Sequence, residues 1–298
     1  MKYIFKSLAS FLFGALAFCI LLLAAFVMFV SDNQKIEVTN YEVASNKIDG
    51  QLRIVQVSDL HDACFGENND RLVKEIENQR PDAVFLTGDM FDGNRVDLEN
   101  TLSFLKGLSD TSIPYVFYTP GNHEIGKSKV YEALIKRIEE QNLRINVLLN
   151  SSMSIDIKGQ SVNVIGIYED ALEDIEVLKS SYSGCKDGSL NLVLCHFPER
   201  IPAIVKNPEL YFGEGLPFAF DFAFTGHAHG GQFRLLGRGL YAPDQGWFPK
   251  YTDGLISLKN GSYEVISRGL GNSSLPIRIN NTPELIVLDI TKEELKCL

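Results

Sequence analysis

All five histidines of the chain lie just past short apolar runs, and all but His196 sit beside glycine, aspartate or asparagine. They are His61 in Asp59-Leu60-His61, His123 in Gly121-Asn122-His123-Glu124, His196 after the run at 190–195, and His227 and His229 in Gly226-His227-Ala228-His229. Asp89 follows another apolar run in Gly88-Asp89. Singly, each histidine reads as an ordinary core or surface residue. All five together with Asp59, Asp89 and Asn122 read as a metal cluster. Imidazole and carboxylate in one set suit Zn, Mn and Fe rather than Ca. Two residues apart on an extended or tightly looped chain, Asp59 and His61 can point the same way, as can His227 and His229. Glycines 88, 121 and 226 let the backbone turn sharply where a ligand is presented.

The elements that must position these residues alternate. Apolar runs at 52–57, 83–86 and 115–118 read as strands. Helical spacing at 69–79, along Leu98, Leu102, Leu105 and Leu108, and at 130–138 fills the gaps. Strand–helix–strand order implies a parallel sheet with right-handed crossovers. Side chains at the C-terminal ends of its strands converge on one crevice. Later strand signals come closer together, at 153–157, 162–167, 190–195, 220–224, 232–235, 255–258, 263–267 and 285–290. They suit a second, mixed sheet. The expected fold is α/β: two mixed β-sheets packed as a sandwich with helices on both outer faces. Residues 31–51 read as a linker plus edge strand, and 52–298 as one domain.

The order of the motifs resembles the calcineurin-like metallophosphoesterases, whose pattern is Asp-x-His, Gly-Asp, Gly-Asn-His-Glu/Asp, a lone His and Gly-His-x-His. The resemblance covers about 52–290 and implies that family's four-layer αββα fold. More narrowly, SDLHDACFG (58–66), GHAHGGQ (226–232), YAPDQGWFPKY (241–251) and SRGLGNS (267–273) are similar to its membrane-anchored bacterial phosphodiesterase branch. The resemblance implies two divalent ions, Mn, Zn or Fe. Asp59, His61 and His229 would hold the first, and Asn122, His196 and His227 the second. Asp89 would bridge them, and a hydroxide between the ions would be the nucleophile. His123 matches the family histidine that is not a ligand and serves the leaving oxygen. Such a set suits phosphoester hydrolysis, because two divalent ions outweigh two aspartates and leave a positive site for an anionic phosphate. Arg234 and Arg268 are weaker candidates for phosphate contact, since Arg is suited to bidentate oxyanion recognition. Two departures stand out. The segment 198–220 is long and carries Tyr211, Phe212, Phe218 and Phe220, which reads as a self-burying loop or as a lid at the site. Phe197 replaces a basic residue of the branch.

Composition bounds the rest. With 298 residues, 45% of them hydrophobic and 22% charged, the chain is globular rather than fibrous or disordered. A net charge of −10 argues against nucleic acid as a partner. Residues 11–30 carry no charge, and the apolar run over 8–30 is long enough for a bilayer core. It exceeds a signal peptide's apolar stretch and ends without a small-residue cleavage site, so it reads as an uncleaved transmembrane signal-anchor within 1–30. Lys2 and Lys6 precede it, which puts the N-terminus in the cytoplasm and the catalytic domain outside, anchored in the cell membrane. Cys64, Cys185, Cys195 and Cys297 match no zinc or disulfide framework and read as mostly buried thiols, with pairing open.

The leading expectation is a membrane-anchored, metal-dependent phosphodiesterase or pyrophosphate-bond hydrolase acting on a cell-envelope or lipid-linked phosphoester. The alternatives are a phosphomonoesterase, a nuclease, which the acidic surface disfavours, and a non-catalytic envelope protein with structural metals.

Overall fold

The computed structural model describes residues 12–16, 18–20, 33–168, 174–208, 220–272 and 276–292. The first sheet contains β1 (Glu37–Ser45), β2 (Gln51–Val57), β3 (Ala83–Thr87), β4 (Tyr115–Thr119), β5 (Asn146–Val147) and β16 (Glu284–Lys292), in the order β1-β16-β2-β3-β4-β5. Strands β2 to β5 run parallel, and β16 is antiparallel to β2. The second sheet contains β6 (Ser151–Ile157), β7 (Gln160–Ile167), β8 (Leu190–Cys195), β9 (Phe222–Thr225), β14 (Gly254–Ser257) and β15 (Tyr263–Ile266), in the order β14-β15-β9-β8-β7-β6. Its four central strands are parallel and its two edges antiparallel.

Period-2 alternation gives each central strand two buried faces. Ile54, Phe85 and Phe117 of the first sheet meet Val164, Leu192, Leu194 and Phe224 of the second in the core between the sheets. The alternate residues Val55, Val84, Leu86 and Val116 face helices α1 (Asp70–Asn78), α2 (Leu98–Asp110) and α4 (Ser128–Glu140). On the other outer face, Ile165, Ile167 and Val193 pack against α5 (Ile175–Ser181) and α6 (Arg200–Lys206). Helix α3 (Asn122–Gly126) is a single turn after β4. The layering is the expected sandwich of two mixed sheets with helices outside, and β1 is the expected edge strand.

Three expectations need correction or limits. The strand expected at 232–235 shrinks to β10 (Arg234–Leu235), which pairs with β11 (Arg238–Gly239) in a hairpin outside both sheets. Glycines at 230, 231 and 237, all at positive φ, turn the chain too often for a longer strand. The 198–220 segment is not all loop: α6 buries Ile201 and Ile204, and Phe220 is buried too, while Tyr211, Phe212 and Phe218 lie outside the described residues. Most of the expected membrane span also lies outside them. Residues 12–16 and 18–20 are helical and exposed, and no helix among the described residues is long and apolar enough to cross a membrane.

A cross-strand ion pair fixes β2 against β16. Arg53 Nε and Nη2 donate to the two carboxylate oxygens of Asp289 at 2.8 and 2.7 Å, and the two residues are directly opposite in the ladder. These bonds hold the Asp289 carboxyl below the ordinary value. A depressed folded-state pKa stabilises the fold above the unfolded value and is lost as pH falls through the folded one. Asp289→Asn is therefore expected to cost about 0.5–1 kcal/mol at pH 7. Urea unfolding at pH 7 and near pH 2 checks this: the gap between the two proteins should close in acid.

Candidate metal centre

The chemistry gathers where parallel strands end. Asp59 and His61 follow β2, Asp89 follows β3, Asn122 and His123 follow β4, His196 follows β8, and His227 and His229 follow β9. The loops after β2 and β3 stay paired beyond the sheet, with Asp59 N–H donating to Gly88 O and His61 N–H to Asp89 O. Asp59, His61, Asp89, His227 and His229 all take positive φ, which turns the chain abruptly after each strand. Asp, Asn and His tolerate this region better than most residues, and such strain clusters at functional sites. Two glycines allow the loops to close in. A Cβ on Gly121 would run into the Asp89 carboxylate, and one on Gly226 into Asp59 and Ser58.

The side chains form two adjoining donor groups. Asp59, His61 and His229 bring one donor atom each within 4.8 Å of one another, as do Asp89, His196 and His227. His61 Nε2 and His229 Nε2 lie 3.1 Å apart. Asn122 Oδ1 lies 3.1 Å from His196 Nε2. Asp89 Oδ2 faces both groups, 3.6 Å from His61 Nε2 and 3.3 Å from His196 Nε2. His123 stands at the rim with Nε2 3.9 Å from the same oxygen. Its Nδ1 accepts from Gly93 N–H at 2.6 Å, so the proton of the neutral ring is on Nε2. All eight residues singled out by spacing come together here.

The protonation pattern fits divalent metal. Burial drives His61 down to about 3, lowers His227 and takes His229 well below its ordinary value. These rings are neutral, the form that binds a cation. Burial opposes charge on Asp89, but His196, His61 and His123 overcome it and hold the carboxyl well below the usual range. Burial also opposes charge on His196, but Asp89 and Asp59 overcome it and push the ring up to about 10. Two buried carboxylates thus favour positive charge at this point of the centre. Buried charges call for a counter-charge, and divalent ions held by these oxygen and nitrogen donors supply it.

Glu124 ties the centre together. Its fully buried carboxyl accepts from Asp89 N–H, Met90 N–H and Gly121 N–H at 2.7 to 2.8 Å, joining the loops after β3 and β4. Burial and then Asp89 push its pKa up to about 7. Glu124→Gln turns one acceptor into a donor facing a backbone N–H. The expected loss is about 1–3 kcal/mol of stability and roughly 10–100-fold in metal affinity. Thermal unfolding and metal titration of the variant check both.

Several neighbours carry little signal in the sequence. Arg278 is completely buried, donates to Gly271 O and Arg268 O, and has Nη2 3.5 Å from His229 Nδ1. Burial lowers its pKa to about 10. Asp244 Oδ2 lies 2.8 Å from His227 Nε2. Asp62 accepts from Asp92 N–H, Asp97 N–H and the Thr101 hydroxyl. Asp92 forms a third donor group with His61 and His123.

The weaker arginine candidates are engaged elsewhere. Arg234 makes a bidentate pair with Asp253 at 2.7 and 2.8 Å, and Arg268 pairs with Glu284 at 2.8 Å and with Glu37. Carboxylates within reach engage each guanidinium. Phe197 packs its ring 4.7 Å from that of His227. Cys195 is buried, but Cys64 is exposed, because its Sγ turns to Asn100 and Gly66 O rather than the core.

The calcineurin-like phosphoesterase family model matches residues 52–231, which hold every donor of the two groups. An uncharacterized metallophosphoesterase of Campylobacter jejuni is 28% identical over 286 residues, covering 91% of this chain and 68% of that protein. The uncharacterized metallophosphoesterase YkoQ of Bacillus subtilis is 28% identical over 285 residues, covering 90% of this chain and 98% of its own. The uncharacterized protein YpbG of the same organism is 24% identical over 245 residues and 82% of each chain. A match that begins at β2 and runs past the last donor histidine, over a site built this way, makes the chain a member of the calcineurin-like phosphoesterase family and a metal-dependent phosphoester hydrolase.

Proposed function

We propose that the protein is a membrane-anchored phosphodiesterase or pyrophosphate-bond hydrolase that uses two divalent ions on a lipid-linked or cell-envelope substrate. This is the membrane-anchored bacterial branch of the family. The observation that carries the two-ion reading is Asp89 Oδ2, which faces both donor groups at once. Asp59, His61 and His229 would hold one ion, Asn122, His196 and His227 the other, and Asp89 both. When bound, such ions supply positive charge for a phosphoryl oxygen and make water acidic enough to attack at neutral pH. His123 would serve the leaving oxygen: with Nδ1 accepting from Gly93 N–H, its Nε2–H stands at the rim and can hydrogen-bond an oxygen that departs there.

The diester preference rests on charge. A terminal phosphate brings a second negative charge and calls for cationic groups on its outer oxygens. Arg234 and Arg268 are held in ion pairs, and apolar Phe197 lies beside His196 and His227. Support for the anchor is the uncharged run at 11–30 after Lys2 and Lys6, and basic residues on that side of a span favour a domain on the outer side. The test is to strip the full chain of metal in detergent. Mn²⁺, Zn²⁺ or Fe²⁺ is then returned with an aryl phosphodiester or its monoester. Turnover should require added metal, saturate at two ions per chain and favour the diester at least tenfold. Saturation at one ion would overturn the pair, and a monoester preference would overturn the substrate class.

A further inference from the structure

Beyond residues 12–20, the five most exposed large apolar side chains among the described residues all fall between 235 and 248. They are Leu236 (95%), Phe248 (78%), Trp247 (70%), Leu235 (60%) and Tyr241 (44%). Two of them are also strained. Leu236 and Gly237 form the two-residue turn between β10 and β11, both at positive φ, a position that favours Asn, Asp or Gly. Phe248 takes φ 56°. A leucine and a phenylalanine thus accept a left-handed backbone and gain no burial in return. Strain that packing does not offset marks a surface kept for a contact.

This surface adjoins the metal centre. Strand β12 (Tyr241–Ala242) pairs with β13 (Gly246–Trp247), and the turn between them carries Asp244, whose carboxylate reaches His227. Leu240 N–H donates to Gly231 O, two residues past His229, and Phe248 N–H donates to Leu240 O. Basic side chains flank the apolar ones although the protein as a whole is acidic. Arg238 and Phe248 line one cleft of about 460 Å³. Lys206, Lys250 and Lys259 surround a neighbouring one of about 400 Å³. Of the nearby carboxylates, Asp253 is paired with Arg234, and Asp244 reaches toward His227. Exposed Leu, Phe and Trp beside a ring of Lys and Arg is the pattern of an interfacial lipid contact, with aromatic rings at headgroup level and cations drawn to anionic headgroups.

We infer that residues 235–250 form a bilayer-contacting lip beside the metal centre. Leu235, Leu236, Trp247 and Phe248 enter an anionic lipid surface, with Arg238, Lys206, Lys250 and Lys259 at its headgroups. The inference rests on the anchored reading above and adds a second, independent membrane contact to it. A phosphoester at headgroup depth then meets the centre without leaving the membrane.

Trp247 is the only tryptophan of the chain, so its fluorescence reports on this lip alone. The full chain is reconstituted into phosphatidylglycerol/phosphatidylcholine vesicles with brominated acyl chains. The expected result is a blue-shifted emission quenched at least twofold relative to unbrominated vesicles. The double variant Leu236→Asp, Phe248→Asp should lose the shift and the quenching, while hydrolysis of a soluble aryl diester stays within twofold. Water-like, unquenched emission would overturn the lip. A blue shift without bromine quenching would overturn it too, because a protein rather than lipid would then cover the patch. Alkaline extraction reads the N-terminal anchor separately: an extractable chain with quenched Trp247 fails the anchor and keeps the lip. Lost hydrolysis with quenching retained fails the catalytic reading and keeps the lip.

Discussion

Asp89→Asn is expected to lower bound metal and to cut kcat/KM for a phosphodiester by roughly 10³-fold or more, the rate equivalent of several kcal/mol of charge stabilisation. Asn matches Asp in size, and its amide oxygen can keep the bond that Oδ1 accepts from His123 N–H at 2.9 Å. The amide nitrogen then takes the place of Oδ2. A donor would stand 3.6 Å from His61 Nε2 and 3.3 Å from His196 Nε2, where an anionic acceptor stood before. Both donor groups lose their shared charge, so the loss should reach both ions rather than one. The fold should survive, because the change adds no bulk near Gly121 and deletes no core contact. Elemental analysis beside circular dichroism separates metal loss from unfolding. A variant with wild-type metal content and activity would remove Asp89 from the centre.

The site was legible because its residues follow apolar runs too regular to misread. Val55, Val84 and Val116 face one way and Ile54, Phe85 and Phe117 the other. A strand buried on both faces shows as a continuous apolar run, and the first polar residue after it marks the crevice. What the sequence hid depends on partners distant along the chain. Arg234 and Arg268 look like phosphate ligands until Asp253 and Glu284 are seen to engage them. Arg278, in Pro276-Ile277-Arg278-Ile279, looks like a surface arginine, yet backbone carbonyls hold it buried beside His229. Asp244 reaches His227 only because the short β12 and β13 pair brings its turn against the loop after β9. Helix α6 stands inside the segment that reads as a loop, and it contains Pro202. It lies in the first turn, where its missing N–H breaks no helical bond.

Removing the ring of His123 should separate leaving-group stabilisation from metal binding. His123→Ala is expected to lower turnover by roughly 10²–10³-fold, the usual contribution of one hydrogen-bond donor placed on developing charge, while metal content stays that of the wild type. The geometry argues for this split. His123 Nδ1 is taken up by Gly93 N–H, and its Nε2 lies 3.9 Å from Asp89, farther than the Nε2 atoms of His61 and His196. Gly93 is only partly buried, so water can replace the lost acceptor without much strain. The defect should also depend on the leaving group. A nitrophenolate departs readily unaided, whereas an alkoxide needs a donor on its developing charge. The variant should therefore lose more activity on an alkyl diester than on a nitrophenyl diester, and the wild type should show the smaller difference between the two. Equal losses on both substrates would remove the leaving-group role. A fall in metal content would make His123 a ligand instead, in the group it forms with His61 and Asp92.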